Sequence, residues 1–392
     1  MKMKKRIRKK AMSVICILLC VVMFTFSGGI HSRAEESGVS SLALECTSAV
    51  LMEAQTGQIL YASNEDQALP PASVTKIMTL LLVMEAIEDG KINYTDMVSA
   101  SEHACSMGGS QIFLEVGEQM SVDDLLKSVV IASANDAAVT LAEYVAGTEA
   151  AFVEMMNSKA AELGMENTHF ENTNGLDDTT QNHVTSAKDI AIMSRELIKH
   201  AKITEYSSIW MDTIRNGEFG LTNTNRLIRF YKGATGLKTG STAKAGFCVS
   251  ATAERDGMTL IAVIMGAKGR DERNRSAVAL LNYGFSNYAL YRNSERQPVK
   301  IPVVKGKNSF CIAEEEELVA VIEKRQSARV ERKVDIAERI YAPIKSGEQV
   351  GTVMYSVQGK VIGTSKMITT QGVEQIGFFD VFLRMIAKMT FC

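Results

Sequence analysis

The amino-acid sequence predicts an α+β fold in which a helical block interrupts an antiparallel sheet, followed by a small all-β domain and an amphipathic C-terminal helix. Three observations lead to this prediction. Strand patterns occur near both ends of residues 35–292, helical periodicity fills the middle of that range, and short β-rich runs dominate residues 293–371. The 392 residues are also too many for one small core, which favours two domains.

The N-terminus has the pattern of a secretory signal peptide. Seven cations and no acid occupy the first ten residues, an apolar run extends from Ala11 to about Phe26, and Ser32-Arg33-Ala34 offers a small-x-Ala cleavage site. We therefore expect residues 1–34 to be removed on export, with an uncleaved membrane anchor as the alternative. Cleavage would leave 35 basic and 45 acidic residues, a net charge of about −10 that argues against a nucleic-acid partner.

The range 35–292 begins with a predicted hairpin and continues with helices. Ser48–Ala54 and Ile59–Ala62 flank a polar Gln-Thr-Gly-Gln stretch, a pattern typical of two antiparallel strands joined by a turn. Pro70-Pro71 ends this region, and apolar periodicity predicts a long helix from Ser73 to Ile87. The further predicted helices are Ser121 to about Ile131, with Ser121 as its N-cap, Asp136–Val145, Glu149–Leu163 and Ser186–His200.

Strand patterns return after the helical block. The strands predicted to complete the sheet are Leu237–Gly240, Gly246–Ala253 and Thr259–Gly266, and residues 271–288 are predicted to form a helix after them. The β-rich runs of the second domain are Pro298–Val304, Leu318–Glu323, Val330–Val334, Gln349–Tyr355 and Lys360–Thr364. We therefore expect one domain over residues 35–292, a small all-β domain over 293–371, and a separate terminal segment over 372–392.

The terminal segment, residues 372–392, is predicted to hold an amphipathic helix at a membrane surface. Its apolar face would combine six large side chains, Phe378, Phe379, Phe382, Leu383, Ile386 and Met389, while Asp380, Arg384 and Lys388 recur every four residues on the other face. Such a helix on an exported chain favours attachment to the outer face of the cytoplasmic membrane. The alternative is a helix that packs on its own β domain.

Cysteines and histidines give no sign of a metal site or of another cofactor. Five cysteines lie beyond the predicted signal peptide, an odd and scattered set without a C-x-x-C pair. The five histidines form no H-E-x-x-H or similar cluster. A metal hydrolase is therefore disfavoured, no cofactor is expected, and no disulfide is assigned.

Three short motifs carry the chemistry of this chain: Ser73-Val74-Thr75-Lys76, Ser133-Ala134-Asn135 and Lys238-Thr239-Gly240. Each motif alone occurs by chance in many proteins. In this order they form the three-part signature of serine enzymes that are acylated by penicillin or by D-Ala-D-Ala peptides.

The first motif predicts a serine nucleophile with a lysine base. Ser73 would begin a helix and therefore sit at the positive end of the helix dipole, and Lys76 lies one turn further on. A neutral lysine can take the hydroxyl proton of Ser73. Burial and the neighbouring cation of Lys238 would both favour the neutral form of Lys76.

The second motif is expected on a loop between two helices, on the opposite wall of a cleft. There the Ser133 hydroxyl can relay a proton to the leaving amine, and the Asn135 amide can hold a substrate carbonyl or fix Lys76. Asn135 is equally compatible with an N-cap of the helix that begins at Asp136, and the two roles can coexist.

The third motif is expected on an edge strand of the sheet. Gly240 would let a substrate backbone approach and pair with the strand, and Lys238 with the Thr239 hydroxyl would receive a free carboxylate. The N–H of Ser241, beside that of Ser73, would form an oxyanion hole.

Longer strings around the motifs resemble the low-molecular-mass penicillin-binding proteins that are D-alanyl-D-alanine carboxypeptidases, the serine peptidase family S11. These strings are PPASVTKIMT, SMGGSQIFLEVGE, IASANDAAVTLAE, NTNGLDD and GATGLKTGSTAKAGFC. The resemblance is close over about residues 42–290 and weaker through the β domain and the tail. It implies the sandwich fold shared by serine β-lactamases and penicillin-binding proteins, peptidoglycan stem peptides as substrates and β-lactams as inhibitors.

By this resemblance, Ser73 is the nucleophile, Lys76 is the acylation base, Ser133 and Asn135 form the second motif, and Lys238 with Thr239 contacts the carboxylate or the β-lactam. Some members of the family carry an arginine upstream of the Lys-Thr-Gly strand. The matching stretch here, Asn223-Thr224-Asn225-Arg226, does not align securely with that arginine. The residue that completes the carboxylate pocket therefore stays open.

Two other functions are compatible with parts of the sequence. A secreted serine β-lactamase shares the three motifs and uses an additional glutamate for deacylation, which Glu166 or Glu171 could supply, but it lacks a second β domain and a membrane tail. A catalytically silent peptidoglycan-binding protein is the other alternative. Intact motif residues give it no support.

Overall fold

The computed structural model describes residues 42–178, 180–294 and 296–390. The predicted signal peptide, residues 1–34, lies outside the described residues. The strands of the first domain are β1 (Ser48–Glu53), β2 (Ile59–Ser63), β3 (Met97–Ser99), β4 (Gln119–Ser121), β5 (Met211–Ile214), β6 (Phe219–Thr222), β7 (Ala234–Thr242), β8 (Gly246–Arg255) and β9 (Met258–Ala267). The helices of this domain are α1 (Lys76–Glu88), α2 (Glu102–Cys105), α3 (Val122–Lys127), α4 (Asn135–Ala146), α5 (Glu149–Glu162), α6 (Ala187–Leu197), α7 (Ala201–Ser207), α8 (Leu227–Phe230) and α9 (Arg270–Asn287).

A five-stranded antiparallel sheet in the order β2-β1-β9-β8-β7 organises the domain. Its strands come from both ends of the domain and the helical block from α1 to α8 interrupts them, so the predicted α+β sandwich is confirmed. The interior strand β1 is buried along its whole length because helices cover both faces of the sheet. Leu51 faces α9 on one side, whereas α6 reaches the other side, where the Ser194 hydroxyl bonds to that of Ser250.

Two predicted helices differ from the prediction in ways that matter for the site. The helix expected from Ser73 begins instead with a 3₁₀ turn, Ala72–Thr75, and becomes α-helical only at Lys76. The helix capped by the Ser121 hydroxyl stops being α-helical at Lys127 and ends in a π turn, Ser128–Ala132. Both irregular turns carry or precede motif residues, as is common for non-α turns at functional sites.

The strands that follow α9 are β10 (Tyr288–Arg292), β11 (Val299–Val304), β12 (Phe310–Glu315), β13 (Val319–Glu323), β14 (Val330–Ile336), β15 (Ile340–Tyr341), β16 (Gln349–Val357) and β17 (Lys360–Thr369). One sheet has the order β14-β16-β17-β12-β11-β15, and β10 pairs with β13. All five predicted β runs are strands here. The strand β12 was not predicted because its last inward-facing residue is Glu315, and an acid is not expected at a buried strand position. Here Glu315 is buried and hydrogen-bonded.

The chain ends in the helix α10 (Phe378–Thr390), as predicted. Its large apolar side chains are exposed, with Phe378 81% and Phe379 78% exposed and Leu383 63% exposed. The alternative in which this face packs on the β domain is therefore not what the structure shows. Among the described residues, no helix is both long and apolar enough to cross a membrane.

Candidate active site

The three motifs converge on one cleft between the helical block and the edge strand β7. Nζ of Lys76 lies 3.0 Å from Oγ of Ser73, and Nζ of Lys238 lies 2.7 Å from Oγ of Ser133. Asn135 connects the two pairs, because its Oδ1 lies 2.5 Å from Nζ of Lys76. The grouping expected from the sequence is therefore present in the fold.

The 3₁₀ turn places Ser73 at the mouth of the cleft. Ser73 is the only half-buried residue of this turn, while Ala72, Val74 and Thr75 are buried. Ala72 has a positive φ of 50°, a conformation that costs a non-glycine residue free energy and that clusters at functional sites. The turn thus exposes one hydroxyl on an otherwise buried and unusually shaped backbone.

Lys76 is arranged as an uncharged amine would be. A neutral amine has two N–H bonds and one lone pair. Its Nζ reaches Oδ1 of Asn135 at 2.5 Å and the backbone oxygen of Asn174 at 2.9 Å, and both of these atoms accept hydrogen bonds. The lone pair is then left for the third neighbour, the hydroxyl of Ser73.

The surroundings of Lys76 favour this neutral form. The side chain is completely buried, and burial together with the nearby charge of Lys238 lowers the pKa of Lys76 well below its ordinary value. The carboxylate of Asp136 acts in the opposite direction and raises the pKa of Lys76. Burial and the lysine pair outweigh it, as expected from the sequence.

Lys238 is also buried, with 1% of its surface exposed. Burial, and then the charge of Arg273, lower the pKa of Lys238 to about 7. Its ammonium donates to Oγ of Ser133 and to the backbone oxygen of its neighbour Thr239. Lys238 is therefore placed to influence the Ser133 hydroxyl as well as an incoming anion.

The second motif lies at the end of the π turn. Ser133 has a left-handed φ of 64°, which turns the chain before α4 begins. The expectation that Asn135 caps α4 is wrong, because Ala134 occupies the N-cap and Asn135 is already helical. The Asn135 amide is used instead by Lys76 and by the backbone oxygen of Gly108, which accepts from Nδ2 at 2.6 Å.

The third motif lies on β7, which is an edge strand of the sheet as predicted. Gly240 also permits a close approach within the protein itself. A Cβ on Gly240 would lie 2.7 Å from the backbone nitrogen of Ser73 and 2.9 Å from the oxygen of Pro71. Gly240 therefore lets the turn that carries Ser73 pack directly on β7, and Ser241, the next residue, is exposed beside it.

A cavity of about 440 Å³ opens on these residues. Ser73, Ser133, Thr239, Gly240 and Ser241 line it. Other lining residues were not singled out from the sequence: Ser110, Trp210, Thr222, Phe247, Arg270 and Arg273. A cleft with this many hydroxyl and guanidinium groups suits a polar, anionic ligand.

Three guanidinium groups give this cavity positive charge. They are candidates for the carboxylate-binding residue that the sequence did not identify. Arg226, from the stretch that did not align, lines the cavity, and Oγ1 of Thr224 accepts from Oγ1 of Thr239 at 2.8 Å. Arg270 and Arg273 come from the first turn of α9. Cations are unfavourable at a helix N-terminus, so this placement was a sequence signal for a functional role.

The glutamates considered for a β-lactamase have other roles in the fold. The Glu171 carboxylate accepts from the backbone N–H groups of Gln181 and Asn182, and Glu166 is exposed. In the described part of the chain, neither is hydrogen-bonded to Ser73 or Lys76.

Comparisons with known proteins agree with this site. The family "D-alanyl-D-alanine carboxypeptidase" matches residues 35–269, and "Penicillin-binding protein 5, C-terminal domain" matches residues 285–375. The D-alanyl-D-alanine carboxypeptidase DacF of Bacillus subtilis is 41% identical over 382 residues, which are 95% of this chain and 97% of that protein. The DacC carboxypeptidase of Escherichia coli is 33% identical over 88% of each chain.

Solved structures are similar as well. Penicillin-binding protein 5 of Haemophilus influenzae superposes with a TM-score of 0.76 at 32% identity, covering 86% of this chain and all of that one. Penicillin-binding protein D2 of Listeria monocytogenes, solved with ampicillin bound, has a TM-score of 0.58 at 32% identity and covers 62% of this chain and 99% of its own. These likenesses favour neither a β-lactamase nor a silent binding protein. The chain belongs to the D-alanyl-D-alanine carboxypeptidase family.

Proposed function

We propose that this chain removes the terminal D-alanine from peptidoglycan stem peptides through an acyl-enzyme on Ser73. The observation that carries the proposal is the environment of Lys76. Two acceptors take its N–H bonds, and its third neighbour, 3.0 Å away, is the Ser73 hydroxyl. A buried amine with a free lone pair beside a serine is the arrangement that general-base activation requires.

In the acylation step, the Ser73 proton moves to Nζ of Lys76 while Oγ of Ser73 bonds to the carbonyl carbon of the penultimate D-alanine. The negative oxygen that forms is held by the N–H groups of Ser73 and Ser241, the oxyanion hole expected from the sequence. The tetrahedral intermediate then collapses, the bond to the terminal D-alanine breaks, and its amine needs a proton. The Ser133 hydroxyl, which Lys238 contacts at 2.7 Å, is proposed to give its proton to that amine and to regain one from Lys76, which becomes neutral again.

Hydrolysis completes the cycle. Water attacks the acyl carbon and gives a proton to Lys76, and Lys76 passes that proton to Oγ of Ser73 as the acyl bond breaks. The Asn135 amide keeps Lys76 in place through both steps, because its Oδ1 accepts from Nζ of Lys76 and its Nδ2 donates to the backbone oxygen of Gly108.

The carboxylate of the terminal D-alanine is proposed to bind between Lys238, Thr239 and the arginines of the cavity. Lys238 has a pKa of about 7 without an anion, and a bound carboxylate would stabilise its charged form. Arg226, Arg270 and Arg273 line the same cavity, and a guanidinium group can bind a carboxylate through two parallel hydrogen bonds. This combination suits a substrate with a free C-terminal carboxylate.

β-Lactams are proposed to acylate the same serine. The Listeria monocytogenes relative has been solved with ampicillin and with cefotaxime bound. Intact-mass measurement after incubation with benzylpenicillin should show one adduct that is absent in Ser73→Ala. Release of D-alanine from a D-Ala-D-Ala peptide, again lost in Ser73→Ala, tests the reaction itself. An adduct that persists in Ser73→Ala would overturn the assignment of the nucleophile.

The cellular arrangement is proposed on the sequence and on α10. Residues 1–34 would direct export and be removed, residues 35–292 would hold the catalytic domain, and residues 293–371 would form the β domain. Residues 372–392 would then attach the enzyme to the outer face of the cytoplasmic membrane. The exposed apolar face of α10 supports this attachment.

A further inference from the structure

A buried histidine behind the nucleophile has no role in the reaction described above. His183 is 5% exposed and lies on the loop before α6. Its Nδ1 is 2.9 Å from the backbone nitrogen of Glu171, and its Nε2 is 2.7 Å from Oγ1 of Thr75. The Thr75 hydroxyl in turn lies 2.8 Å from the backbone oxygen of Ala72.

The direction of every hydrogen bond in this series follows from its two ends. The backbone N–H of Glu171 donates, so Nδ1 of His183 accepts and its proton resides on Nε2. The backbone oxygen of Ala72 accepts, so the Thr75 hydroxyl gives it its only proton. The Thr75 oxygen must therefore accept from Nε2–H of His183. A neutral histidine of one tautomer satisfies the whole series.

Its charge state agrees with this tautomer. Burial lowers the pKa of His183 to about 4, although the carboxylates of Glu171 and Asp177 act in the other direction. A second proton, on Nδ1, would also point at the N–H of Glu171. His183 is thus a fixed neutral donor near neutral pH.

The series ends at a strained part of the backbone. Ala72 has its positive φ of 50° immediately before Ser73. Such a conformation persists only where the surroundings determine it strongly. The loop that follows Glu171 also packs here, since a Cβ on Gly175 would lie 1.9 Å from the oxygen of Ala72 and 2.8 Å from Oγ1 of Thr75.

We propose that His183 is a positioning residue, which holds the strained turn at Ala72 through the Thr75 hydroxyl and thereby aims the Ser73 hydroxyl at Lys76. The inference rests on the proposed role of Ser73 as nucleophile. The same loop supplies the Asn174 oxygen to Lys76. One segment, residues 171–183, therefore fixes both partners of the proton transfer.

The test separates binding from chemistry in the acylation by benzylpenicillin. Rapid-mixing kinetics give the dissociation constant of the initial complex and the acylation rate constant independently. His183→Leu and Thr75→Val should lower the acylation rate constant by about 10- to 100-fold, the scale expected for misplacement of a reacting group. The dissociation constant should change by less than about threefold, because neither side chain lines the cavity.

Two conservative variants should rescue the rate. Thr75→Ser keeps the hydroxyl, and His183→Gln keeps an N–H donor near the position of Nε2, so both should stay within about threefold of the parent rate. The double variant His183→Leu/Thr75→Val should be no slower than the slower single variant, since both break one series. His200→Gln is the matched control, because His200 is also buried but bonds to Glu88.

The outcomes distinguish this inference from the proposed function. If the parent enzyme is not acylated on Ser73, the proposed function fails. If it is acylated and Thr75→Val, folded by circular dichroism, keeps a rate within twofold of the parent, the positioning role is overturned. A double variant whose losses multiply would likewise overturn it. Should His183→Leu not fold, Thr75→Val compared with Thr75→Ser and His183→Gln decides the matter.

Discussion

Lys76 is the side chain whose protonation state decides the chemistry of this site. Burial and two charged neighbours act on it: burial and Lys238 lower the pKa of Lys76, and Asp136 raises it. Asp136 is itself buried, and its carboxylate accepts from the backbone N–H groups of Ile112 and Leu114. Removing either charged neighbour should therefore shift the titration of Lys76, in opposite directions.

We expect the rate constant for acylation of the free enzyme by benzylpenicillin to fall as the pH decreases, because Lys76 then gains a proton and loses its lone pair. Lys238→Met removes a repelling cation, so the pKa of Lys76 should rise and the acid limb should move to higher pH. Asp136→Asn removes an attracting anion, so that limb should move to lower pH. The measurement is the second-order acylation rate constant between about pH 5 and pH 9, which reports the pKa values of the free enzyme.

Shifts of the same sign in both variants would contradict this assignment of the base. An acid limb that moves to higher pH in Asp136→Asn would also contradict it. His200→Gln again serves as the control, with an unchanged acid limb expected.

Gly240 fixes the distance between β7 and the turn that carries Ser73. Gly240→Ala would place a Cβ 2.7 Å from the nitrogen of Ser73, against backbone atoms that cannot swing away. We expect a loss of about 100-fold or more in acylation and about 1–3 kcal/mol in the free energy of unfolding. Gly220→Ala is the control, because no heavy atom lies within 4 Å of a Cβ there. Near-parental acylation by Gly240→Ala would show that the contact is not required.

At the scale of elements, the cleft has two walls that are tied together by one arginine. Ser110 on the segment 106–118 and Thr222 on β6 both line the cavity. Arg215, at the turn of the hairpin β5–β6, reaches across to that segment. Its guanidinium bonds to both carboxylate oxygens of Glu118, at 2.8 and 3.1 Å, and to the backbone oxygen of Ile112 at 2.8 Å.

Arg215→Gln and Glu118→Gln should each lower the free energy of unfolding by about 1–3 kcal/mol, the range for charge-assisted hydrogen bonds. Urea unfolding measures this, and the double variant should show a coupling of about 0.5–3 kcal/mol. We also expect KM for a D-Ala-D-Ala peptide to rise more than kcat falls, because the walls loosen while Ser73 and Lys76 keep their own contacts.

The hydrogen bond to Arg215 holds the pKa of Glu118 below its ordinary value. A carboxyl group with a lowered folded-state pKa stabilises the fold above its unfolded pKa of about 4.3 and loses that contribution as the pH falls. Arg215→Gln should remove this part of the acid sensitivity. Arg275→Gln is the control, since its ion pair with Glu45 is more than half exposed and should contribute little. Equal losses for Arg215→Gln and Arg275→Gln would contradict the bridging role.

The elements that the sequence predicted well are those whose apolar residues recur with a clear helical or strand periodicity. β1, α1, α4, α5 and β7 to β9 have continuous or regularly spaced apolar residues, so local sequence sufficed. The hairpin β5–β6 was missed because its strands have four residues each and depend on Arg215 for their place. The strand β12 was missed because its acid Glu315 is bonded by Arg332 and Tyr355, which are distant in sequence.

The same distinction applies to the site. Ser73, Lys76, Ser133, Asn135, Lys238 and Thr239 were found because each lies in a motif with fixed spacing. His183 and Gly175 act through contacts made by the fold, and nothing in their immediate sequence marks what they face, whereas the signal for Arg273 was its place in the first turn of α9. The cap expected for Asn135 failed for a related reason, since Lys76 and Gly108 compete for the amide that the cap would have used.

At the scale of the whole molecule, α10 is the element that exposes several large aromatic and aliphatic side chains close together, among them Phe378, Phe379 and Leu383. Just before this helix, the terminal segment is joined to the β domain by a bridge between Gly306 and Gln375 and by a hydrogen bond from the N–H of Ile376 to the oxygen of Lys305. The helix that follows has 13 residues, about 20 Å, which is shorter than the hydrocarbon core of about 30 Å. This length suits a helix that lies in the membrane surface, as proposed above.

Removal of α10 should release the enzyme without affecting its chemistry. We expect a chain truncated after Gln375 to lose sedimentation with phosphatidylglycerol vesicles, which the chain beginning at residue 35 should show. Its kcat/KM on a short D-Ala-D-Ala peptide should stay within about twofold, since the described residues that line the cavity end at Arg273.

A substitution within the full chain separates the apolar face from the length of the tail. Phe379→Glu with Phe382→Glu places charges among exposed aromatic side chains and should abolish vesicle binding, because a buried apolar face is what holds such a helix. Met211→Glu is the matched control, since Met211 is 65% exposed on the first domain and should not affect sedimentation. If the truncated chain still sediments, another surface binds the membrane. If it loses turnover instead, α10 supports the fold rather than the attachment, and the exposed face seen here is covered by the protein itself.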